Sequence, residues 1–167
     1  MYLWQIDMKN DKPQNGRGVM LITGATSGFG AAASRMAARK GFQLILTGRR
    51  GERLRALQSE LGSAVLKILD FDVRDLLATQ QALAALTEAE IPNVLVNNAG
   101  LAVGKEPIDQ GFYEDWNRMI DTNVKGLLHV TRELTPRMRA GARIINIGSI
   151  AGRQAYPGGA VYNASKF

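Results

Sequence analysis

The chain has 167 residues, 46% of them hydrophobic and 22% charged, a balance that fits one globular domain able to bury roughly 70% of its unfolded surface. It contains no cysteine and a single histidine, which excludes disulfides and thiolate metal sites and argues against zinc. The net charge of +6 is scattered over Arg35, Arg39, Lys40, Arg53, Arg55, Arg132, Arg139 and others, with no dense basic run among aromatics and no apolar run near the ~20 residues of a membrane span; neither a nucleic-acid partner nor a membrane is expected.

Met1 to Gly18 is polar and aperiodic and reads as a loose leader. It lacks the basic start and continuous apolar stretch of a signal peptide, so a cytoplasmic location is the default. Val19–Ile22 is a short apolar run followed by a glycine-rich turn, and Ala31–Lys40 reads as a helix ended by Gly41. Gln43–Thr47 reads as a second strand. Leu54, Leu57 and Leu61 mark a helix over Glu52–Leu61, closed by Gly62. Val65–Leu69 is a third strand, and Leu76–Ala89 a helix for which Asp75 is the best-placed cap. Val94–Val96 is a buried strand, Glu114–Met138 is largely helical with Pro136 bending or ending it, and Ile144–Ile147 is a fifth strand. Strands alternating with helices predict a doubly wound, Rossmann-type α/β domain over 19–167, a parallel sheet with helices on both faces. Ligands of such folds sit beyond the carboxyl ends of the strands.

The turn after the first strand reads Thr23-Gly24-Ala25-Thr26-Ser27-Gly28-Phe29-Gly30 and opens a helix. Gly24 permits the tight turn, Gly28 lets backbone approach a pyrophosphate, and Gly30 lets the helix pack close to the strand. The helix N-terminus favours an anion there. After the second strand stands Thr47-Gly48-Arg49-Arg50, with no acid between Phe42 and Gly51. A carboxylate at this point would accept from a ribose 2′-hydroxyl, whereas two guanidiniums suit a 2′-phosphate, so NADP is favoured over NAD.

Tyr162 and Lys166 lie four residues apart, on one face of a helix, with Ser149 upstream just beyond the fifth strand. Alone the pair carries no weight, but after the motifs above the set resembles the catalytic residues of short-chain dehydrogenases, whose carbonyl reduction needs a hydride on carbon and a proton on oxygen. Tyr162 can give that proton, a neighbouring ammonium from Lys166 favours the phenolate for the reverse step, and Ser149 can hydrogen-bond the substrate oxygen as charge develops. His129, on a helix among Leu127, Leu128 and Val130, reads as packing or surface, and Arg153 as a solvated loop residue.

With Asn97-Asn98-Ala99-Gly100 after the fourth strand, these motifs resemble the short-chain dehydrogenase/reductase family over Val19 to Phe167. Overall similarity is greatest to its NADP-dependent 3-hydroxy acid dehydrogenase branch. The resemblance implies an oxidoreductase moving a hydride between NADP(H) and a small hydroxy acid or carbonyl compound. It makes Asn123, Ser149, Tyr162 and Lys166 the catalytic set, with Asn123 holding a water that links Lys166 to solvent. It adds Asp72 and Val73 at the adenine, Asn98 at the cofactor, and Lys166 at the nicotinamide ribose to the contacts of Gly24, Thr26, Ser27, Gly28, Phe29, Gly30, Arg49 and Arg50; Asn97 is structural. Family members continue past Phe167 through further strands and a substrate-covering segment, so a C-terminally truncated chain of doubtful activity is expected. A full-length member is expected to be a homotetramer. A 3-oxoacyl-carrier-protein reductase and a non-catalytic NADP-binding module stay open as other readings.

Overall fold

The computed structural model describes residues 17–167, in which five parallel strands form one sheet. They are β1 (Val19–Ile22), β2 (Gln43–Gly48), β3 (Val65–Asp70), β4 (Val94–Asn97) and β5 (Arg143–Asn146), in spatial order β3-β2-β1-β4-β5. Pairing puts Leu21 beside Ile45 on one side and Leu95 on the other. The order reverses at β1, so the loops after β1 and β4 part and leave a crevice at the carboxyl ends of the strands. The readings of Met1 to Gly16, the leader and the missing signal peptide, lie outside the described residues. Arg17 and Gly18 already join the domain: the Arg17 N–H donates to Gly41 O (3.1 Å), and Gly18 O accepts from the Gln43 N–H (3.0 Å).

The continuous apolar strands follow from burial on both faces. Alternate residues point to opposite sides. Ile22, Leu44, Leu46, Val94 and Val96 pack with Ala31 and Ala37 of α1 (Gly28–Arg39) and Leu54 and Leu57 of α2 (Gly51–Leu61). Leu21, Ile45 and Leu95 pack on the other face against Leu83 of α3 (Leu76–Ala84) and against Val130 and Leu134 of α5 (Leu127–Leu134). Each buried Leu, Ile or Val among them contributes roughly 1.5–3 kcal/mol by leaving water. The edge strand β5 is exposed, with Ile144 and Ile145 uncovered.

Two helices depart from the sequence expectation. The segment predicted as helix over Leu76–Ala89 stops at Ala84, and a 3₁₀ turn occupies Glu88–Glu90. Arg137 donates to the carbonyls of Leu83 (2.8 Å) and Leu86 (2.6 Å), satisfying the helix end, while Thr87 and Glu90 form a capping box that starts the new turn. The long helical stretch is α4 (Tyr113–Ile120), a π-helical turn (Asp121–Gly126) and α5, ended by a 3₁₀ turn with Pro136 inside it. The π turn packs on β3's exit: a Cβ on Gly126 would stand 2.6 Å from Val73 Cγ2. Asp75 caps α3, its carboxylate accepting from the Ala78 N–H at 2.9 Å. No helix of the described residues is long and apolar enough to cross a membrane.

Candidate active site

A cavity of about 600 Å³ opens at the carboxyl ends of the strands. Its wall gathers the glycine turn after β1, Gly48 to Arg50 after β2, Asp72 and Val73 after β3, Asn98 to Ala102 after β4, Ser149 after β5, and Tyr162 and Lys166 of α6 (Ala160–Lys166). Of the residues expected to contact cofactor or substrate, Gly30 and Asn123 alone are absent from this wall; Gly30 packs on the Gly24 carbonyl and Asn123 on the Leu101 backbone just behind it.

The glycine turn is built by close approach. Gly24 has φ +65°, and a Cβ there would stand 2.8 Å from Ala99 Cα. A Cβ on Gly30 would collide with the Gly24 carbonyl, so Gly30 fits α1 against the turn rather than facing the cavity. Gly28, at φ +54°, has nothing within 4 Å of its Cβ position. The turn is bolted to β4 by Thr23, whose Oγ1 accepts from the backbone N–H of Asn98 (3.0 Å) and of Ala99 (2.9 Å). The Asn98 amide donates to the carbonyls of Thr23 (2.8 Å) and Gly24 (3.2 Å). Asn98 therefore lines the cavity with its donors already committed. Asn97 is buried and donates to Thr131 Oγ1 and Asn146 Oδ1, both at 2.9 Å, tying β4 to α5 and β5.

The two arginines after β2 differ. Arg50 Nη2 donates to Thr26 Oγ1 (2.7 Å) and Ser27 Oγ (2.8 Å). Arg49 is half-exposed and leans toward Asp72, Nη1 to Oδ2 3.6 Å. Asp72 is held chiefly by Arg74, whose backbone N–H (3.0 Å), Nε (2.9 Å) and Nη2 (2.6 Å) donate to its carboxylate. Burial pushes this carboxyl up, but the Arg74 contacts, with the Arg49 charge, outweigh it and hold it below the usual carboxylate range. Arg74 was not singled out in the sequence; two residues on from Asp72, it was readable only as one more helix-start cation. Phe29 is 82% exposed at the cavity rim.

On the other side of the sheet's centre, Lys166 Nζ donates to the Ile147 carbonyl at 3.0 Å. A Cβ on Gly100 would stand 3.5 Å from that Nζ, an ordinary contact, and 3.3 Å from Asn123 Oδ1, slightly tight, so Gly100 lies beside both groups. Ser149 Oγ accepts from the Ala151 N–H at 3.1 Å and keeps its own hydrogen to donate. Asn123 lies in the π turn, buried, its Oδ1 accepting from the Leu101 N–H (2.8 Å) and its Nδ2 donating to Leu101 O (2.8 Å) and Ser165 Oγ (2.9 Å). Both amide hydrogens are thus engaged with protein groups, and a water held by donation from this side chain has no hydrogen left. Thr122, beside it, lines the cavity and was not noticed in the sequence, where Asp-Thr-Asn carries no signal for a buried hydroxyl. His129 holds the Val73 carbonyl through Nδ1 at 2.9 Å. Arg153 is exposed and lies outside the cavity wall.

Comparison with known proteins agrees with this architecture. The chain is 50% identical over 152 residues to NADP-dependent 3-hydroxy acid dehydrogenase YdfG of Escherichia coli K12, covering 89% of this chain and 60% of that protein. It is 50% identical over 153 residues to sulfoacetaldehyde reductase 2 of Chromohalobacter salexigens, covering 89% and 61%. The closed form of serine dehydrogenase complexed with NADP+ superposes with a TM-score of 0.85 at 48% identity, over 89% of this chain and 60% of that one. The chain thus spans about 60% of the length of the curated relatives it matches. The family description "short chain dehydrogenase" matches residues 18–167, and the chain belongs to that family.

Proposed function

We propose that this chain carries the nucleotide-binding and catalytic residues of an NADP-dependent oxidoreductase, acting in the cytoplasm on a small 3-hydroxy acid or its carbonyl form. One observation carries the reading. A single cavity wall holds Arg49 and Arg50 after β2 and Ser149, Tyr162 and Lys166 beyond β5, with β1 and β4 between them. The span joins an anion-binding end to a proton-donating end.

The residues fit a dinucleotide phosphate. Gly28 leaves open space at the start of α1, where backbone N–H groups and the helix dipole favour a phosphate. Arg49 and Arg50 would hold the 2′-phosphate, aided by the Thr26 and Ser27 hydroxyls that Arg50 already touches. Asp72, Val73 and Asn98 would line the adenosine, and Lys166 would hold the nicotinamide ribose with the two ammonium hydrogens that Ile147 does not take. When bound, NADPH supplies the hydride. Tyr162 gives its hydroxyl proton to the substrate oxygen, Ser149 donates a hydrogen bond to the same atom, and the Lys166 charge stabilises the phenolate left behind. Asn123 holds the loop and helix around them. The relatives named for 3-hydroxy acid and serine dehydrogenases favour a small hydroxy acid as substrate. The same reading takes the full-length protein as a homo-oligomer, which sedimentation would measure.

NADPH oxidation with malonic semialdehyde, run on the product of the complete reading frame beside the 167-residue chain, tests the proposal. Saturable NADPH-dependent turnover supports it; wild-type turnover by Tyr162→Phe rejects the assigned proton donor. Faster turnover of carrier-linked 3-oxoacyl substrates than of free acids would replace the small-acid reading with the acyl-carrier one.

A further inference from the structure

We infer that Ser165 is a positioning residue of this site, its hydroxyl fixing the helix that bears Tyr162 and Lys166 to the Asn123 turn. The importance of that placement rests on the reading above; the contact itself does not.

The helix α6 lines the cavity with Tyr162 and Lys166, and tertiary contacts decide how it sits there. Three of its side chains make polar contacts beyond the helix. Asn163 donates to the Tyr156 carbonyl at 3.3 Å and Lys166 to the Ile147 carbonyl at 3.0 Å, both in the segment that leads from β5 into α6. Ser165 alone reaches another part of the chain: Asn123 Nδ2 donates to its Oγ at 2.9 Å. The Ser165 hydroxyl then donates to the Tyr162 carbonyl, also at 2.9 Å. A hydroxyl can do both at once, accepting on a lone pair while its one hydrogen points elsewhere.

The Asn123 amide completes the connection. Its second hydrogen and its oxygen are both spent on the Leu101 backbone, each at 2.8 Å. A continuous run of hydrogen bonds therefore joins Leu101, Asn123, Ser165 and the main chain of Tyr162. It stitches the loop after β4, the π turn and α6 together behind the cavity wall. A π turn is an uncommon irregularity that recurs at functional sites, and here it presents the Asn123 amide to both neighbours. A proton donor misplaced by about 1 Å loses rate even when every reacting group is present.

The test starts with hydrogen exchange on the ligand-free chain. Ser165→Ala removes the hydroxyl and places a stronger helix former in α6, so faster exchange there reports the lost tie rather than lost propensity. Exchange of the α6 amides and of the Leu101 amide should quicken roughly 3- to 10-fold, the size expected for one such bond, while α1 and α2 stay unchanged. Ser165→Thr, which keeps the hydroxyl, should restore most of the protection. In the full-length protein, Ser165→Ala should lower kcat by about tenfold or more, with a smaller loss of NADPH affinity through Lys166. Unchanged α6 exchange overturns the inference, and so does quickened exchange with undiminished kcat. A wild-type protein without NADPH turnover would reject the oxidoreductase reading instead, and the exchange result would still decide whether Ser165 holds the helix.

Discussion

The Arg50 guanidinium closes onto the Thr26 hydroxyl, with Nη2 2.7 Å and Nε 3.2 Å from Oγ1. The loop after β2 thereby reaches back to the glycine turn after β1, and a cation stands beside the place where α1 begins. A phosphate entering there would take over donors that now serve two hydroxyls. Replacing Arg50 with Ala should raise the Kd for NADPH by about 10- to 100-fold, the worth of a charge-assisted hydrogen bond, with little change for NADH. Fluorescence titration with both nucleotides measures the difference. Equal losses for the two would show that Arg50 does not read the 2′-phosphate.

Tyr162→Phe keeps the ring and removes the hydroxyl. If Tyr162 is the proton donor, kcat should fall by about 10²- to 10⁴-fold while the Kd for NADPH moves by less than about threefold. Steady-state kinetics and direct nucleotide titration separate the two effects.

Acid should weaken the fold partly through Asp72. Its carboxyl is held below the ordinary carboxylate range once the Arg74 and Arg49 contacts have overcome the opposing effect of burial. A depressed folded-state value adds stability that is fully present above the unfolded-state value and is lost as pH falls through the folded one. Urea unfolding between about pH 6 and about pH 3 should show the wild type losing stability faster than Asp72→Asn, which has no proton to take up. Parallel curves for the two would mean that the Asp72–Arg74 contact contributes nothing to pH dependence.

Two glycines of the same turn should answer differently to alanine. At Gly28 a methyl has open space and meets only the cost of a left-handed φ of +54°, roughly 1–2 kcal/mol. At Gly30 the methyl would strike the Gly24 carbonyl, and α1 or the turn must shift. Thermal melts should therefore show Gly30→Ala as the more damaging change. Gly28→Ala should keep most of its stability and weaken NADPH binding by placing a methyl where the phosphate approaches.

Much of this was legible in the sequence, for identifiable reasons. Strands buried on both faces are continuous apolar runs, so β1, β2 and β4 could be placed to within a residue. Asp75 could be named as a cap because side-chain capping is local. The break near Ala84 could not, because Arg137, which closes the helix end there, lies more than fifty positions away. The π turn was hidden for a similar reason: Asp121–Gly126 is weak in helix formers apart from Lys125, which loosens a helix without saying how its ladder shifts, and the irregularity becomes visible only through Val73, Leu101 and Ser165 around it. Asn98 was marked as a ligand contact on resemblance, yet which of its atoms remain free depends on Thr23 and Gly24, residues distant in the chain. Residue types picked out most of the side chains that line the cavity, while the sharing of donors among its walls was set by tertiary geometry.

The hydroxyl of Thr23 holds two consecutive amides of the β4 exit, and the Asn98 amide returns the favour to the two carbonyls flanking Gly24. If the glycine turn receives the cofactor phosphate as proposed, such mutual anchoring means that the cradle is assembled before any guest arrives. Little ordering entropy is then left for the ligand to offset on binding. Loosening that one hydroxyl, as in Thr23→Val, would turn a ready-made receptacle into one that must be moulded afresh at each encounter.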